Sequence, residues 1–218
     1  MPPRSRPSTP SNTSLAAILR DGIEQMKLQI SLPTQAQLLN YIGYLVKWNK
    51  TFSLTAIDDP KQMVVRHLLD SLSLVPYIKG SRLVDVGSGA GLPGIPLALV
   101  FPEYEMVLLD SQTKKVRFMT QVIADMQITN INIAHTRVQD YHPQQVFDTV
   151  ISRAFATLGE FTHAAIHLCE ARGCMLAMKG RYPAKELDDL QLVGKTVDII
   201  PVHVPGLDAE RHIARISC

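Results

Sequence analysis

The sequence lacks long hydrophobic runs and is poor in cysteine. No apolar run approaches the ~18 residues that a membrane-spanning helix requires, so we expect no membrane span. The first fourteen residues, MPPRSRPSTPSNTS, lack the apolar core of a secretory signal, and their composition predicts a disordered tail. Cys169, Cys174 and Cys218 form neither an even disulfide framework nor a metal-ligand spacing. We therefore expect free thiols, no metal site and a cytoplasmic location.

The net charge is low, and it is unevenly distributed along the chain. The 218 residues carry a formal charge of +2 at pH 7. Residues 1–80 hold nine Lys or Arg against five Asp or Glu, whereas residues 81–218 hold thirteen against fifteen. A basic front part on a mildly acidic body favours an anionic macromolecule as partner. A face that only meets water would show the same excess, so both interpretations stay open.

The front of the chain has helical patterns. A first helix is predicted over 15–28. Thr34 and Gln37 form a capping-box signature ahead of apolar residues at helical spacing. Asp59 and Pro60 mark another helix start, because proline suits the first helical position. These helices predict an N-terminal helical extension.

From residue 82 onward, short apolar strands alternate with amphipathic helices, which predicts βαβ units and a parallel sheet covered on both faces. The predicted strands lie near 82–86, 105–110, 131–135, 147–152, 173–179, 196–204 and 211–217. The predicted helices lie near 93–101, 113–127, 157–170 and 183–190. The last two strands lack room for a crossover helix and are predicted to form an antiparallel hairpin. The expected fold is therefore α/β and Rossmann-like, with a seven-stranded, mostly parallel sheet, divided into a tail (1–14), the extension (15–80) and a main domain (81–218).

A glycine-rich stretch, LVDVGSGAGLPG at 83–94, follows the first predicted strand. Glycines at the end of a strand allow a ligand to approach the backbone closely. The run from Gly89 matches G-x-G-x-x-G, and Asp110 lies about twenty residues on, as in a dinucleotide fingerprint. An NAD-dependent oxidoreductase on a Rossmann fold is therefore one hypothesis. However, the strand runs directly into Gly87, and Asp85 then opens D-x-G-x-G-x-G, the form used by S-adenosylmethionine-dependent methyltransferases of class I.

The methyl donor fits these residues better than a dinucleotide does. Its amino acid end suits the backbone of Gly87, Gly89 and Gly91, and its ribose hydroxyls suit Asp110. The loop after the third strand, at 138–139, should flank the adenine. Prolines 93 and 96 remove backbone donors that a pyrophosphate would need at the helix start.

Several longer stretches occur together in one order. They are KWNKTFSLTAI (47–57), RHLLDSL (66–72), LVDVGSGAGLPGIPLAL (83–99), VISRAFA (150–156), MKG (178–180) and LDAERH (207–212). Together they resemble the glucose-inhibited division protein B family, the bacterial small-subunit ribosomal RNA methyltransferases G. The resemblance implies methyl transfer from S-adenosylmethionine to N7 of a guanine in a loop of 16S rRNA. It also implies a cofactor site lined by Gly87, Leu92, Val138, Gln139 and Arg153.

Methylation of guanine N7 requires alignment rather than proton removal, because N7 already carries an in-plane lone pair. Arg153 is a candidate to hold a phosphate or the carboxylate of the cofactor through its bidentate fork. Lys179 is a candidate to hold an RNA phosphate or guanine O6, or it is a solvated strand-end lysine. His67 is either catalytic or a buried structural histidine that bonds Asp70 or a backbone carbonyl. Phe155 either stacks on an unpaired base or packs under the sheet.

The expected partner is 16S rRNA or the small ribosomal subunit, with affinity supplied mainly by phosphate contacts. The chain is expected to act as a monomer. A third hypothesis is an RNA-binding protein with a vestigial cofactor site and no catalytic activity.

Overall fold

The computed structural model describes residues 12–153, 155, 157–191 and 195–218. Within these ranges the strands form one seven-stranded sheet, in the order β3-β2-β1-β4-β5-β7-β6. The strands are β1 (Arg82–Val86), β2 (Glu105–Leu109), β3 (Ile131–Ala134), β4 (Phe147–Ser152), β5 (Cys169–Lys179), β6 (Val197–Pro201) and β7 (His212–Ser217). β1 to β5 pair in parallel, and β7 pairs antiparallel with both β5 and β6. The predicted fold class and the closing antiparallel hairpin are confirmed.

The direction in which successive strands are added to the sheet reverses between β1 and β4. The chain runs outward from β1 through β2 to β3, then returns to the other side of β1 at β4. In an open α/β sheet a ligand cleft forms at such a point, beyond the carboxyl ends of the strands. β7 is antiparallel, so its first residue lies at this same edge, where His212 pairs with Lys179. The topology therefore brings the ends of β1, β4 and β5 and the start of β7 together.

Helices cover both faces of the sheet. They are α5 (Gly94–Val100), α6 (Thr113–Asp125), α7 (Leu158–Ala165) and α8 (Ala184–Gln191). The predicted helix over 157–170 is too long, because a 3₁₀ turn follows α7 and β5 already begins at Cys169. The predicted strand over 196–204 is also too long: β6 ends at Pro201, where the loop of the hairpin begins.

The N-terminal extension is helical, as predicted. It comprises α1 (Asn12–Gln25), α2 (Leu32–Phe52), α3 (Pro60–Met63), a π-helical segment (Val64–Leu69) and α4 (Asp70–Leu72). Asp59 caps α3 by accepting from the backbone N–H groups of Lys61 and Gln62. The prediction that Thr34 caps the second helix is wrong. The Ser31 side chain accepts from the Thr34 backbone N–H, so Ser31 is the cap and α2 begins about one turn earlier. None of the helices in the described ranges is long and apolar enough to cross a membrane.

The extension and the sheet share a hydrophobic core. Leu38 and Leu45 of α2 belong to the same buried cluster as Leu83 of β1 and Ile95 of α5. The opposite face of the sheet packs in a second cluster with α7. The boundary at residue 80 stays a prediction, because one core spans it. Of the predicted tail, residues 1–11 lie outside the described ranges, and residues 12–14 begin α1.

The expectation of free thiols is wrong for two of the three cysteines. Cys169 and Cys218 form a disulfide, with their Cα atoms 6.1 Å apart, and Cys174 is a free, buried cysteine. Two features of the sheet explain the pairing: Cys174 lies opposite Ser217 of β7, and an irregularity lets β5 advance from Cys169 to Cys174 while its neighbour β4 advances only from Phe147 to Thr149. The start of β5 therefore comes close to the last residue of the chain, which a count of cysteines and spacings does not reveal.

Candidate methyl-donor and acceptor site

The glycine-rich stretch forms the turn between β1 and α5. Gly87, Gly89 and Gly91 all have positive φ, of 73°, 60° and 82°, a conformation in which a side chain would be strained. Gly94 begins α5 against the sheet, and a Cβ there would lie 2.2 Å from Cδ2 of Leu108. The turn is therefore fixed by close approach as well as by dihedral angles. We call residues 87–94 the glycine turn.

Asp85, the last acid before the glycine turn, is fully buried. Its Oδ2 accepts a hydrogen bond of 2.9 Å from the Gly94 backbone N–H. Among the described residues its Oδ1 has no hydrogen-bond partner. Burial raises the pKa of Asp85 to about 7, and the Gly94 bond and the Arg153 charge oppose that rise. An unpaired carboxylate oxygen at this position is suited to a cationic ligand group.

Asp110 follows β2 and is nearly buried beside the glycine turn. One of its oxygens accepts from the Gly89 backbone N–H at 2.8 Å, and the other accepts from the Gln112 N–H at 2.8 Å. Each oxygen retains a second lone pair for a ligand hydroxyl. These contacts place the carboxylate firmly at the carboxyl end of β2, as the ribose-binding hypothesis requires.

A cavity of roughly 320 Å³ opens beside the glycine turn, across the ends of β1, β2 and β3. We call it the glycine-side cavity, and its volume falls within the range of small-molecule sites. Four of the predicted cofactor residues line it: Gly87, Asp110, Val138 and Gln139. Phe155 also lines it and packs against Phe161 with the two rings tilted and their centroids 5.4 Å apart, so it borders the cavity from the core side.

A second cavity, of roughly 310 Å³, lies at the ends of β4 and β5. We call it the arginine-side cavity. It contains all three predicted catalytic residues, Arg153, Lys179 and His67, together with Asp70 and Arg211. Positive charge predominates, and its full lining is Ile57, Arg66, His67, Asp70, Arg153, Met178, Lys179, Gly180 and Arg211.

Asp70 organises the two central arginines of this cavity. Its side chain is buried, Oδ1 accepts from Nε of Arg211 at 2.9 Å, and Oδ2 lies 3.6 Å from Nη1 of Arg153. The charge of Arg153 also lowers the pKa of the Asp85 carboxyl, against the larger effect of burial. One buried carboxylate thus holds two guanidinium groups at the cleft, where they are positioned for an anion.

His67 is a neutral residue bonded at both ring nitrogens. Its Nδ1 lies 3.1 Å from the Arg66 carbonyl, which can only accept, so Nδ1 carries the hydrogen. Its Nε2 then accepts from the Thr55 hydroxyl at 3.0 Å. Burial and, secondly, the Arg153 charge lower the pKa of His67 to about 4. This arrangement favours the structural interpretation, with a backbone carbonyl and Thr55, rather than Asp70, as its partners.

Lys179 ends β5 and reaches the arginine-side cavity as an ion pair. Its Nζ lies 2.9 Å from Oε2 of Glu186 in α8, and the lysine side chain is largely buried. The Leu158 backbone N–H also donates to the same glutamate oxygen. The interpretation as a free, solvated strand-end lysine is wrong, because α8 covers the strand end.

Of the predicted site residues, four line the glycine-side cavity and three line the arginine-side cavity, whereas Gly89, Gly91 and Leu92 line neither. Leu92 belongs to the glycine turn, but its side chain is buried in the core. Sequence reasoning missed the role of Asp70 and Arg211, which lie 141 positions apart. Their only sequence signal is that each falls in one of the ordered stretches, RHLLDSL and LDAERH. In the described ranges, no cluster of His, Cys, Asp or Glu is arranged to hold a metal ion.

Comparisons with known proteins give one family. The family described as rRNA small subunit methyltransferase G (GidB) matches residues 34–214. The ribosomal RNA small subunit methyltransferase G of Shewanella halifaxensis is 44% identical over 202 residues, covering 93% of this chain and 98% of the relative. The protein of the same name from Nitrosococcus oceani is 45% identical over 199 residues, covering 91% and 93%.

Solved structures share the fold at low sequence identity. A putative S-adenosyl-L-methionine-dependent methyltransferase from Methanococcus maripaludis aligns with a TM-score of 0.57 and 15% identity, over 81% of this chain and 91% of that one. TYW2 from M. jannaschii, in complex with AdoMet, aligns with a TM-score of 0.52 and 13% identity, over 68% and 74%. The fold is that of class I S-adenosylmethionine-dependent methyltransferases.

Proposed function

The chain belongs to the rRNA small subunit methyltransferase G family, and we propose that it transfers a methyl group from S-adenosylmethionine to N7 of a guanine in a loop of 16S rRNA. The observation that carries the proposal is the pair of cavities at the carboxyl ends of the strands. One lies beside the glycine turn and contains Asp110, and the other lies at the ends of β4 and β5 and is lined with arginines and lysine. The NAD-dependent oxidoreductase alternative has no support in the family match.

The residues around the glycine turn fit the methyl donor. The buried Oδ1 of Asp85 has no partner among the described residues and would pair with the donor's amino group. The positive-φ turn leaves its backbone open to the donor's amino acid end. Asp110 would accept from the ribose hydroxyls, and the backbone at 138–139 would contact the adenine edge. When bound, S-adenosylmethionine supplies an electrophilic methyl group on a sulfonium.

Arg153 lines the arginine-side cavity and pairs there with Asp70, and its charge lowers the pKa of both Asp85 and His67. We assign it to the donor's carboxylate, which a guanidinium binds in bidentate fashion. Leu92 belongs to the glycine turn, and its buried side chain would anchor the turn in the core rather than line the cavity.

The arginine-side cavity would receive the guanine and its flanking phosphates. Arg211, held by Asp70, and the exposed Arg66 supply donors for phosphate oxygens. Lys179, paired with Glu186, would donate to guanine O6 or to a phosphate. His67 would hold the loop containing Thr55 at the side of the arginine-side cavity through its bond to the Thr55 hydroxyl. None of these side chains acts as a base, because N7 needs no proton removed.

We further propose that the chain acts as a monomer on the RNA of the small subunit or of its assembly intermediates. Its location would then be the cytoplasm because the RNA substrate is there, since the Cys169–Cys218 disulfide removes the argument from free thiols. The excess of basic residues in the first 80 positions supports an RNA contact by the front part of the chain. Sedimentation of the protein alone tests the monomer, since one chain has a mass of 24.2 kDa.

We expect the purified protein to methylate small-subunit RNA from cells that lack its gene, because unmodified sites are then available. The measurement is incorporation of labelled methyl from S-adenosylmethionine, with nucleoside mass spectrometry to identify the modified base. The proposal predicts about one 7-methylguanosine per 16S rRNA. RNA from wild-type cells, already modified, is the matched control. Methylation of another base would refute the proposed specificity for guanine N7. Cofactor binding without any methyl transfer would favour an RNA-binding protein without catalytic activity.

A further inference from the structure

A tyrosine of the N-terminal extension reaches the glycine turn. The hydroxyl of Tyr41, in the middle of α2, donates a hydrogen bond of 2.7 Å to the backbone carbonyl of Ala90. Ala90 lies between Gly89 and Gly91, both at positive φ. The contact spans 49 positions of sequence, so it joins the extension to the segment of the turn that would approach the methyl donor.

The hydrogen bond between Tyr41 and Ala90 is buried, so water cannot replace the hydroxyl as donor. Tyr41 has no solvent exposure, and Ala90 is also buried. Burial raises the pKa of Tyr41, with Arg153 lowering it and Asp85 raising it, so the hydroxyl lies within electrostatic range of both site residues. A buried carbonyl that loses its donor keeps the cost of desolvation without the compensating bond. The turn would therefore relax if the hydroxyl were removed.

We propose that Tyr41 is a positioning residue for the methyl donor: its hydroxyl fixes the Ala90 carbonyl and so holds the glycine turn in the shape that binds the donor. The inference rests on the proposed function and goes beyond it, because it makes the extension a part of the donor site. Tyr41 touches neither reacting atom, so it acts through the turn alone. Donor affinity should depend on this one hydroxyl, whereas RNA affinity should not.

The substitution Tyr41→Phe tests the inference because it keeps the buried ring and removes only the hydroxyl. We expect the Kd for S-adenosylhomocysteine, measured by calorimetry on the full-length protein, to rise about tenfold, the cost of one unsatisfied buried group. The KM for S-adenosylmethionine should rise in parallel, with the Kd for rRNA within twofold of the wild type.

Tyr44→Phe is the matched control. Tyr44 lies on the same helix, one turn away, and packs at the edge of the same core, so its substitution should leave the affinity for S-adenosylhomocysteine unchanged. An unchanged affinity in Tyr41→Phe, or an equal loss of donor and RNA affinity, would overturn the positioning role. If the wild type itself fails to bind S-adenosylhomocysteine, the proposed function fails instead, so the two failures are distinguishable.

Discussion

Replacing Arg153 with alanine is expected to lower kcat/KM for methyl transfer by at least 100-fold while changing the melting temperature by only a few degrees. A charge-assisted, bidentate hydrogen bond contributes about 3 kcal/mol, which corresponds to roughly a hundredfold in rate. The effect on stability is small because Asp70 keeps its closer partner, Arg211, at 2.9 Å. The 3.6 Å contact to Asp70 that is lost involves an arginine side chain that is 29% exposed, and such pairs contribute little.

Arg82→Ala is the control for this prediction. The Arg82 side chain is also 29% exposed and also ion-paired, with Glu105. However, it lies at the start of β1, at the end of the strand opposite the cleft. Its removal should cost at least as much stability and leave methyl transfer unchanged. Steady-state assays and thermal unfolding of the two variants measure both quantities. Comparable activity losses in the two variants would return Arg153 to a structural role.

Replacing Asp85 with asparagine is expected to weaken donor binding by about 100-fold at pH 8 and, at the same pH, to stabilise the protein. The amide keeps an oxygen for the Gly94 N–H but cannot pair with the donor's cationic amino group. Burial raises the pKa of this carboxyl from 3.8 to about 7. The stability contributed by the neutral carboxyl is fully present below pH 3.8 and is lost as the pH rises through 7.

The wild type should therefore lose stability between about pH 4 and pH 7 from this residue, whereas the asparagine variant should not. At pH 8 the variant should be more stable by on the order of 2–4 kcal/mol, measured by urea unfolding. Wild-type affinity for the donor should fall as the pH drops below 7, because the carboxylate becomes protonated. In the variant this dependence should be absent.

Asp148→Asn provides the contrasting control. Asp148 lies near the start of β4, at the end of the strand opposite the cleft, and accepts from the backbone N–H groups of Ser81 and Arg82. These bonds lower the pKa of its carboxyl against the opposing effect of burial, so its substitution should destabilise the protein and leave donor binding intact. If Asp85→Asn also destabilises the protein at pH 8 and binds the donor normally, the assignment of Asp85 to the amino group is wrong.

The fold could be predicted from the sequence because its signals are local. Strand β1 is an apolar run that ends directly in glycines, and Asp59 with Pro60 marks a helix start by chemistry within three residues. Local signals also mislead: Thr34 carries a capping pattern, yet Ser31 is the cap because a proline follows it in the first turn. Periodicity finds elements reliably, but it does not choose between neighbouring caps.

The arrangement of the site could not be predicted from the sequence, because its contacts join residues that are far apart in the chain. Asp70 meets Arg211 only because β7 begins beside the end of β5, next to the π-helical segment that precedes α4. Tyr41 meets Ala90 because α2 packs on α5, and the periodicity of α2 assigns this tyrosine simply to a core face. The disulfide follows the same logic, since the antiparallel closure of the sheet brings the chain end back to β5.

A crystal structure of the protein with S-adenosylhomocysteine would show directly whether the glycine turn is the donor site. We predict that the amino acid end lies on the glycine turn, with its amino group on Asp85 and its carboxylate on Arg153. We also predict that the ribose hydroxyls bond to Asp110. The adenine should lie in the glycine-side cavity, leaving the arginine-side cavity open for the guanine. A ligand seated away from the glycine turn, or a turn closed against it, would contradict the account.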